Sequence, residues 1–423
     1  MERRHRAVMP KWQALYYEEP IALDHGEGCY VWDTDGNRYL DFFGGILTTI
    51  SGHAVPQVVE AIQEQAARLL HSSTLYMIPT AIELAEQVAE LSGIPGAKVF
   101  FTTSGTEAVE AALMLATGAR RSNQVLALRN SYHGRGFGAV AVTGNRGWSA
   151  SSYSPFHVAF VQNGYRYRSP FGHLDDAGFI QACADDLRNV IETETAGDVA
   201  CLIAEPIQGV GGFTVPPDGF FGAMKKVCDE YGILFIADEV QTGWGRTGDT
   251  FWGIQAHGVV PDAITFAKGI GNGLSLAGVV ARGDLMDSLP ANSISTFGGN
   301  PLATAGGLAN LRYILDNDLQ GNAREVGTHL MGRLSSLVGS AATVGDVRGR
   351  GLMIGVEMVE PGTTKPSPAA ANRALEACRA DGLLVGKGGL YGNVIRITPP
   401  LTLTPAQADD GYAVLDRAIR GAG

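Results

Sequence analysis

Glu205, Asp238 and Lys268 each stand where a short apolar run ends: after "CLIA", within "ILFIAD" and at the close of "AITFAK". The intervals are 33 and 30 residues, each about one strand-plus-helix unit. The carboxyl ends of neighbouring parallel strands open on one crevice, so this spacing gathers two acids and an amine. Any one of them alone could be a strand end meeting water; the three together point to a site. Lys268 is one of only seven lysines, and three glycines follow it in "TFAKGIGNG". A lysine leaving an apolar strand is partly desolvated, which lowers its pKa and suits it to imine formation. Lys387, in "VGKGGL", reads as an ordinary loop-entry lysine.

Two weaker signals join these. "FFTTSGTEAVEAALMLA" places Ser104, Gly105 and Thr106 between a strand and a strongly helical run. Backbone N–H groups at a helix start, flanked by small residues, bind anions such as phosphate. On its own a Ser or Thr there is ordinarily only a cap. Tyr132, in "NSYHGRGFG", follows another apolar run and could stack on a planar ring, though a loop tyrosine is more often simple packing. A lysine amine, a buried carboxylate, a phosphate cradle and a stacking ring together meet the needs of pyridoxal phosphate. Its aldehyde takes a lysine, and its pyridine nitrogen stays protonated beside a carboxylate, the place for Asp238.

The elements that must hold these residues follow from apolar patterning. "GCYVWDTDGNRYLDFFGG" (28–45) reads as a hairpin turning at Asp35-Gly36, and helices are predicted near 56–70 and 80–91. Strands are predicted at 97–102, 124–128, 157–162, 200–205, 233–238 and 263–268, with helices at 106–119 and 220–231 between them. Continuous apolar strands alternating with helices predict an α/β fold with a mostly parallel sheet covered on both faces. Beyond Pro301 a helical stretch leads to one strand at 346–358, a helix near 369–381 and strands at 382–386 and 393–398. This tail reads as a smaller α+β domain that shares its sheet with the N-terminal hairpin. The expected division is 1–52, an N-terminal segment packing with the small domain; 53–305, a large cofactor-binding domain; and 306–423, the small domain.

The 423 residues are 45% hydrophobic and 18% charged, enough to bury a large core. The net charge of −11 argues against a general nucleic-acid binder. No apolar stretch reaches the roughly 20 residues a membrane span needs. The start "MERRHRAVMPKW" lacks the apolar core of a secretory signal. Five scattered cysteines without CxxC spacing suggest a reducing, cytoplasmic setting and no metal site.

In order along the chain, "YLDFFGGI", "TTSGTEAVEAALMLA", "YHGR", "AEPIQGVGGF", "FIADEVQTGWGRTG", "FAKGIGNG", "STFGGNPLA", "DVRGRGLMIGVEM" and "RITPPLTLT" resemble the class III pyridoxal-phosphate aminotransferases of fold type I. The resemblance spans nearly the whole chain. It is nearest to alanine–glyoxylate aminotransferases of the mitochondrial type and their bacterial relatives, through "AEPIQGVGG", "FWGIQAHGVVPD" and "GLMIGVEMV". It implies that Lys268 forms the Schiff base, that Asp238 binds the pyridine nitrogen, and that Glu205 and Gln241 lie near the ring hydroxyl. Gly105 and Thr106, with Ser104 beside them, would bind phosphate, and Tyr132 would stack on the ring. Thr296 would reach the phosphate of a partner subunit, making the active unit a homodimer. Arg396 would hold the substrate carboxylate, while loops near Ile46, Tyr76, Trp148 and Arg166 shape the rest of the substrate site.

Two positions depart from the family pattern. Where γ-aminobutyrate and ornithine members carry a glutamate after "EPIQG", this chain has Val210, so Arg396 lacks that switch partner. "GHAVP" has Val55 where the family has histidine. The expected activity is ping-pong transfer of an amino group from an amino acid or amine to a 2-oxo acid such as pyruvate or glyoxylate. The rivals are a phospho-lyase acting on an amino-alcohol phosphate and a non-catalytic binding protein on the same scaffold.

Overall fold

The computed structural model describes residues 1–13 and 15–423. Fourteen strands among them form two seven-stranded sheets. In chain order they are β1 (Leu23–Glu27), β2 (Tyr30–Asp33), β3 (Arg38–Phe42), β4 (Ala97–Thr102), β5 (Gln124–Leu128), β6 (His157–Val161) and β7 (Cys201–Ala204). There follow β8 (Leu234–Asp238), β9 (Ala263–Phe266), β10 (Ala277–Arg282), β11 (Val344–Arg350), β12 (Met353–Met358), β13 (Leu383–Gly388) and β14 (Val394–Ile397).

The larger sheet runs β4-β10-β9-β8-β7-β5-β6. The pairs β5–β6, β5–β7, β7–β8 and β8–β9 are parallel, as the uninterrupted apolar runs predict. Alternate side chains serve opposite faces. Ile203 and Ile236 pack with Ala108, Val109 and Ala112 of the helix Gly105–Arg120. Leu202, Phe235 and Ala237 pack with Phe179, Leu187, Phe220 and Met224 from the helices Asp176–Glu194 and Phe220–Glu230. With helices over both faces, neither face can be polar, which is why these strands carry no alternation.

Two expectations need correction here. β10 was not predicted; "AGVVAR" follows β9 after a glycine-rich turn with only a three-residue 3₁₀ helix and no α-helix between, and pairs antiparallel with both β9 and β4. The single strand expected over 346–358 is two. The chain reverses at Gly351, whose φ of +52° suits glycine, and β11 pairs antiparallel with β12.

The second sheet runs β1-β2-β3-β13-β14-β12-β11. The N-terminal hairpin β2–β3 joins the C-terminal strands through the parallel β3–β13 pair, with Leu40 facing Leu383 and Phe42 facing Val385. No helix among the described residues is long and apolar enough to cross a membrane.

Candidate active site

A cavity of about 140 Å³ lies beyond the carboxyl ends of β4, β7, β8 and β9. One wall is the turn from β4 into the helix Gly105–Arg120. Ser104 is its N-cap, its Oγ accepting the Glu107 N–H at 3.2 Å. The first N–H groups of a helix have no partner within it, and Gly105 and Thr106, the first two residues of this helix, line the cavity. A Cβ on Gly105 would come within 3.2 Å of Val240 Cγ1, and one on Gly134 within 2.7 Å of Thr106 Oγ1. The glycines therefore leave the room an anion needs against the helix start.

The opposite wall carries charge. Asp238, at the last position of β8, is 3% exposed. Its Oδ1 accepts the Val240 N–H at 3.1 Å and the Thr265 hydroxyl at 3.2 Å. Its Oδ2 lies 2.6 Å from His133 Nδ1. Glu205 accepts the Tyr132 N–H on Oε1 and the Gly209 N–H on Oε2, both at 2.9 Å. Burial pushes the Glu205 carboxyl above its usual range, and the two N–H donors only partly offset that.

Lys268 follows β9 with φ +48°, an unfavourable region for a side chain with a Cβ, at the start of a tight turn. Burial lowers its ammonium to about 8, outweighing the nearby Asp238 charge that opposes the shift. A larger share of neutral amine near physiological pH is what a nucleophile and proton carrier requires. Tyr132 lines the cavity and meets the edge of Trp148 at 5.5 Å between ring centres.

Gln241 also lines the cavity, and its Oε1 accepts a hydrogen bond from Arg396 Nη2 at 3.0 Å. Arg396, in β14, is 4% exposed. Its guanidinium carbon lies 4.6 Å from the centre of the Phe213 ring, and its Nε has no hydrogen-bond partner among the described residues. Burial lowers its proton affinity, yet a guanidinium stays charged at any working pH.

These residues fit pyridoxal phosphate. The helix start and its glycines suit the phosphate, the buried acid suits a cationic ring nitrogen, Tyr132 offers a ring face, and Lys268 offers an amine of lowered pKa. His133 Nε2 is buried with no partner among the described residues, and so is part of a site left polar on one side.

Of the residues singled out from sequence, Ser104, Gly105, Thr106, Tyr132, Glu205, Asp238, Gln241 and Lys268 come together around the cavity. Arg396 adjoins it through Gln241. Thr296 is exposed and Ile46 is 46% exposed, and neither lines the cavity. Arg166 turns its guanidinium to Asp176 and the Leu174 carbonyl, away from the site. Sequence reasoning passed over His133 and Phe213. The first sat in plain view beside Tyr132 in "YHGR"; the second carried no signal, because a phenylalanine among glycines reads as packing.

The class-III aminotransferase family model matches residues 13–419. The chain is 41% identical, over 99% of its length and 87% of the relative's, to the mitochondrial alanine–glyoxylate aminotransferase 2 homolog 2 of Arabidopsis thaliana. An amine transaminase from an uncultivated Pseudomonas species, solved with PLP bound, superposes with a TM-score of 0.91 at 33% identity, covering 99% of this chain and 97% of that one. A phospholyase from Arthrobacter, in complex with phosphoethanolamine, superposes at 0.90 with 30% identity, covering 99% of this chain and 98% of the other.

Proposed function

The chain belongs to the class-III aminotransferases and transfers an amino group with pyridoxal phosphate, and on that premise we propose which side chains carry the reaction and which substrates they favour. When bound, the cofactor supplies an aldehyde that takes up the amino group and a cationic ring that withdraws electrons. Lys268 would hold the aldehyde carbon. Once freed, its neutral amine would take the proton from the substrate carbon as general base and deliver it to the cofactor's aldehyde-derived carbon as general acid. Asp238, fixed by His133, Thr265 and the Val240 N–H, would face the ring nitrogen as an acceptor already in place before the reaction begins. Glu205 and Gln241 would lie near the ring hydroxyl, Tyr132 would cover the ring face, and Ser104, Gly105 and Thr106 would receive the phosphate.

Arg396 is the receptor for the substrate carboxylate, and its two parallel N–H donors match the two oxygens. Its contacts are an amide oxygen and an aromatic face, both neutral. With Val210 at the position where γ-aminobutyrate and ornithine members keep a switch glutamate, no carboxylate among the described residues hydrogen-bonds the arginine. α-Amino acids and 2-oxo acids such as pyruvate or glyoxylate are therefore the favoured pair. A phospho-lyase substrate lacks a carboxylate and would leave a buried cation unmatched; release of free phosphate instead of keto acid would turn the reading that way.

The observation that carries the proposal is Lys268, its pKa lowered to about 8, in one cavity with Asp238. Borohydride reduction of the holoenzyme should tag Lys268 and no other side chain. Lys268→Ala should lose on the order of 10²–10⁴-fold in turnover or more; near-normal turnover refutes the assignment.

We place the active unit as a homodimer, in which Thr296 of one subunit reaches the phosphate of the other. Exposed Phe297 meets His71 with ring centres 5.1 Å apart, and exposed Ile294 borders the groove that Met114 lines. Apolar side chains at one exposed place support an interface. The division into 1–52, 53–305 and 306–423 rests on the β3–β13 pairing, which ties the first segment to the last. A cytoplasmic setting is supported by five cysteines that are all buried and free.

A further inference from the structure

We infer that Arg348, which lies outside the cavity, positions the carboxylate-binding arginine by fastening the loop 205–214. The inference rests on the reading of Arg396 given above. The loop begins at Glu205 in the cavity and ends at Phe213 beneath the Arg396 guanidinium. Phe213 is fully buried with φ +54°, a conformation a phenylalanine does not adopt unless its neighbours impose it.

Asn130 Nδ2 donates to the Gly211 carbonyl at 3.1 Å and a backbone bridge joins Gln208 to Thr214; two further fastenings tie the loop to the second sheet. The Val210 carbonyl accepts the Gly389 N–H at 2.9 Å, just beyond β13. The Gly212 carbonyl accepts two hydrogen bonds from Arg348, from Nε at 3.0 Å and from Nη2 at 2.7 Å. Gly212 has φ +98°, and a Cβ there would come within 2.8 Å of Val394 Cγ2. The loop is thus pressed onto the β13–β14 hairpin that carries Arg396.

Arg348 is itself held. Nη1 donates to Asp346 and Nη2 to Glu357, each at 2.8 Å, and its guanidinium carbon lies 4.5 Å from the Tyr165 ring centre. Glu357 is 1% exposed and also accepts from Arg168 Nε and Asn393 Nδ2 at 2.8 Å and from the Tyr165 hydroxyl. A carboxylate saturated by four side chains leaves its arginine one orientation. Phe213, and through it Arg396, inherits that orientation.

A strut that merely joined two sheets would affect stability, cofactor retention and turnover together. A positioning role predicts a split between carboxylate affinity and chemistry. Propionate binding to the holoenzyme, measured by calorimetry, should weaken about tenfold in Arg348→Met, the scale of one well-formed charged hydrogen bond. The KM values for amino acid and 2-oxo acid should rise alike, while kcat and the cofactor's visible absorbance change less than about threefold. Arg348→Lys keeps the charge but cannot set two donors on one carbonyl, and should fall between the two. If Arg348→Met does not fold, Phe213→Leu removes the ring beneath Arg396, with some loss of packing against Ile207 and Met353, and should give the same loss. Unchanged propionate affinity in the folded variant overturns the inference, as does a parallel loss of affinity, kcat and cofactor. Arg396→Met keeps the two readings apart: if it too leaves propionate binding intact, it is the role of Arg396 that fails.

Discussion

Burial decides when the Lys268 amine can act. Its ammonium loses hydration, and the acids near it restore only part of that loss, leaving a pKa of about 8. After cofactor removal, acylation of Lys268 by a dilute amine reagent should rise with a midpoint near pH 8. Exposed lysines should follow at about 10.4. A midpoint shared with the exposed lysines would show that the cavity does not desolvate this side chain. At this scale Glu205, Asp238 and Lys268 were legible because charge at the end of an apolar strand is a conspicuous break in pattern. His133 and Phe213 were not, because each acts through a neighbour: one through the Asp238 carboxylate, the other under the Arg396 guanidinium.

Between β8 and β9 the chain folds back on a buried acid. Glu239, fully buried, accepts the Thr242 hydroxyl and the N–H groups of Gly253 at 2.9 Å and Ile254 at 2.7 Å. Burial raises its carboxyl from 4.5 to about 7, against those three donors. The folded chain then holds a proton that the unfolded chain releases between these values. The contribution to stability is complete below pH 4.5 and is lost as pH rises through about 7. Glu239→Gln does not titrate. Its stability relative to the parent should therefore improve from pH 4.5 to 7, by on the order of 3 kcal/mol at most. Denaturant melts of both proteins across that range test this, and a constant difference would contradict it. The strands of the larger sheet were readable from apolar runs because helices bury both their faces. β10 was not, since a strand following another without an α-helix breaks the rhythm that revealed the rest. The reversal at Gly351 was hidden because no Asn, Asp or Pro marks a turn between "VRGR" and "LMIG", and a second glycine stands two residues earlier.

The whole molecule leaves apolar side chains uncovered: Tyr76 at 72%, Met77 at 89%, Ile294 at 54% and Phe297 at 60% exposed. In solution, light scattering should give twice the chain mass. Phe297→Glu should shift that mass toward the monomer and reduce cofactor retention, because Thr296 stands next to it. A monomer with full cofactor occupancy would contradict the shared site. The pairing of β3 with β13 has a further consequence. Phe42 leaves the ribosome long before its partner Val385 is made, so the N-terminal hairpin must wait with an open edge while most of the chain emerges. An unpaired edge during synthesis invites association with other strands. The last step of maturation is then the arrival of the C-terminal strands, and the same step brings Arg396 to its place.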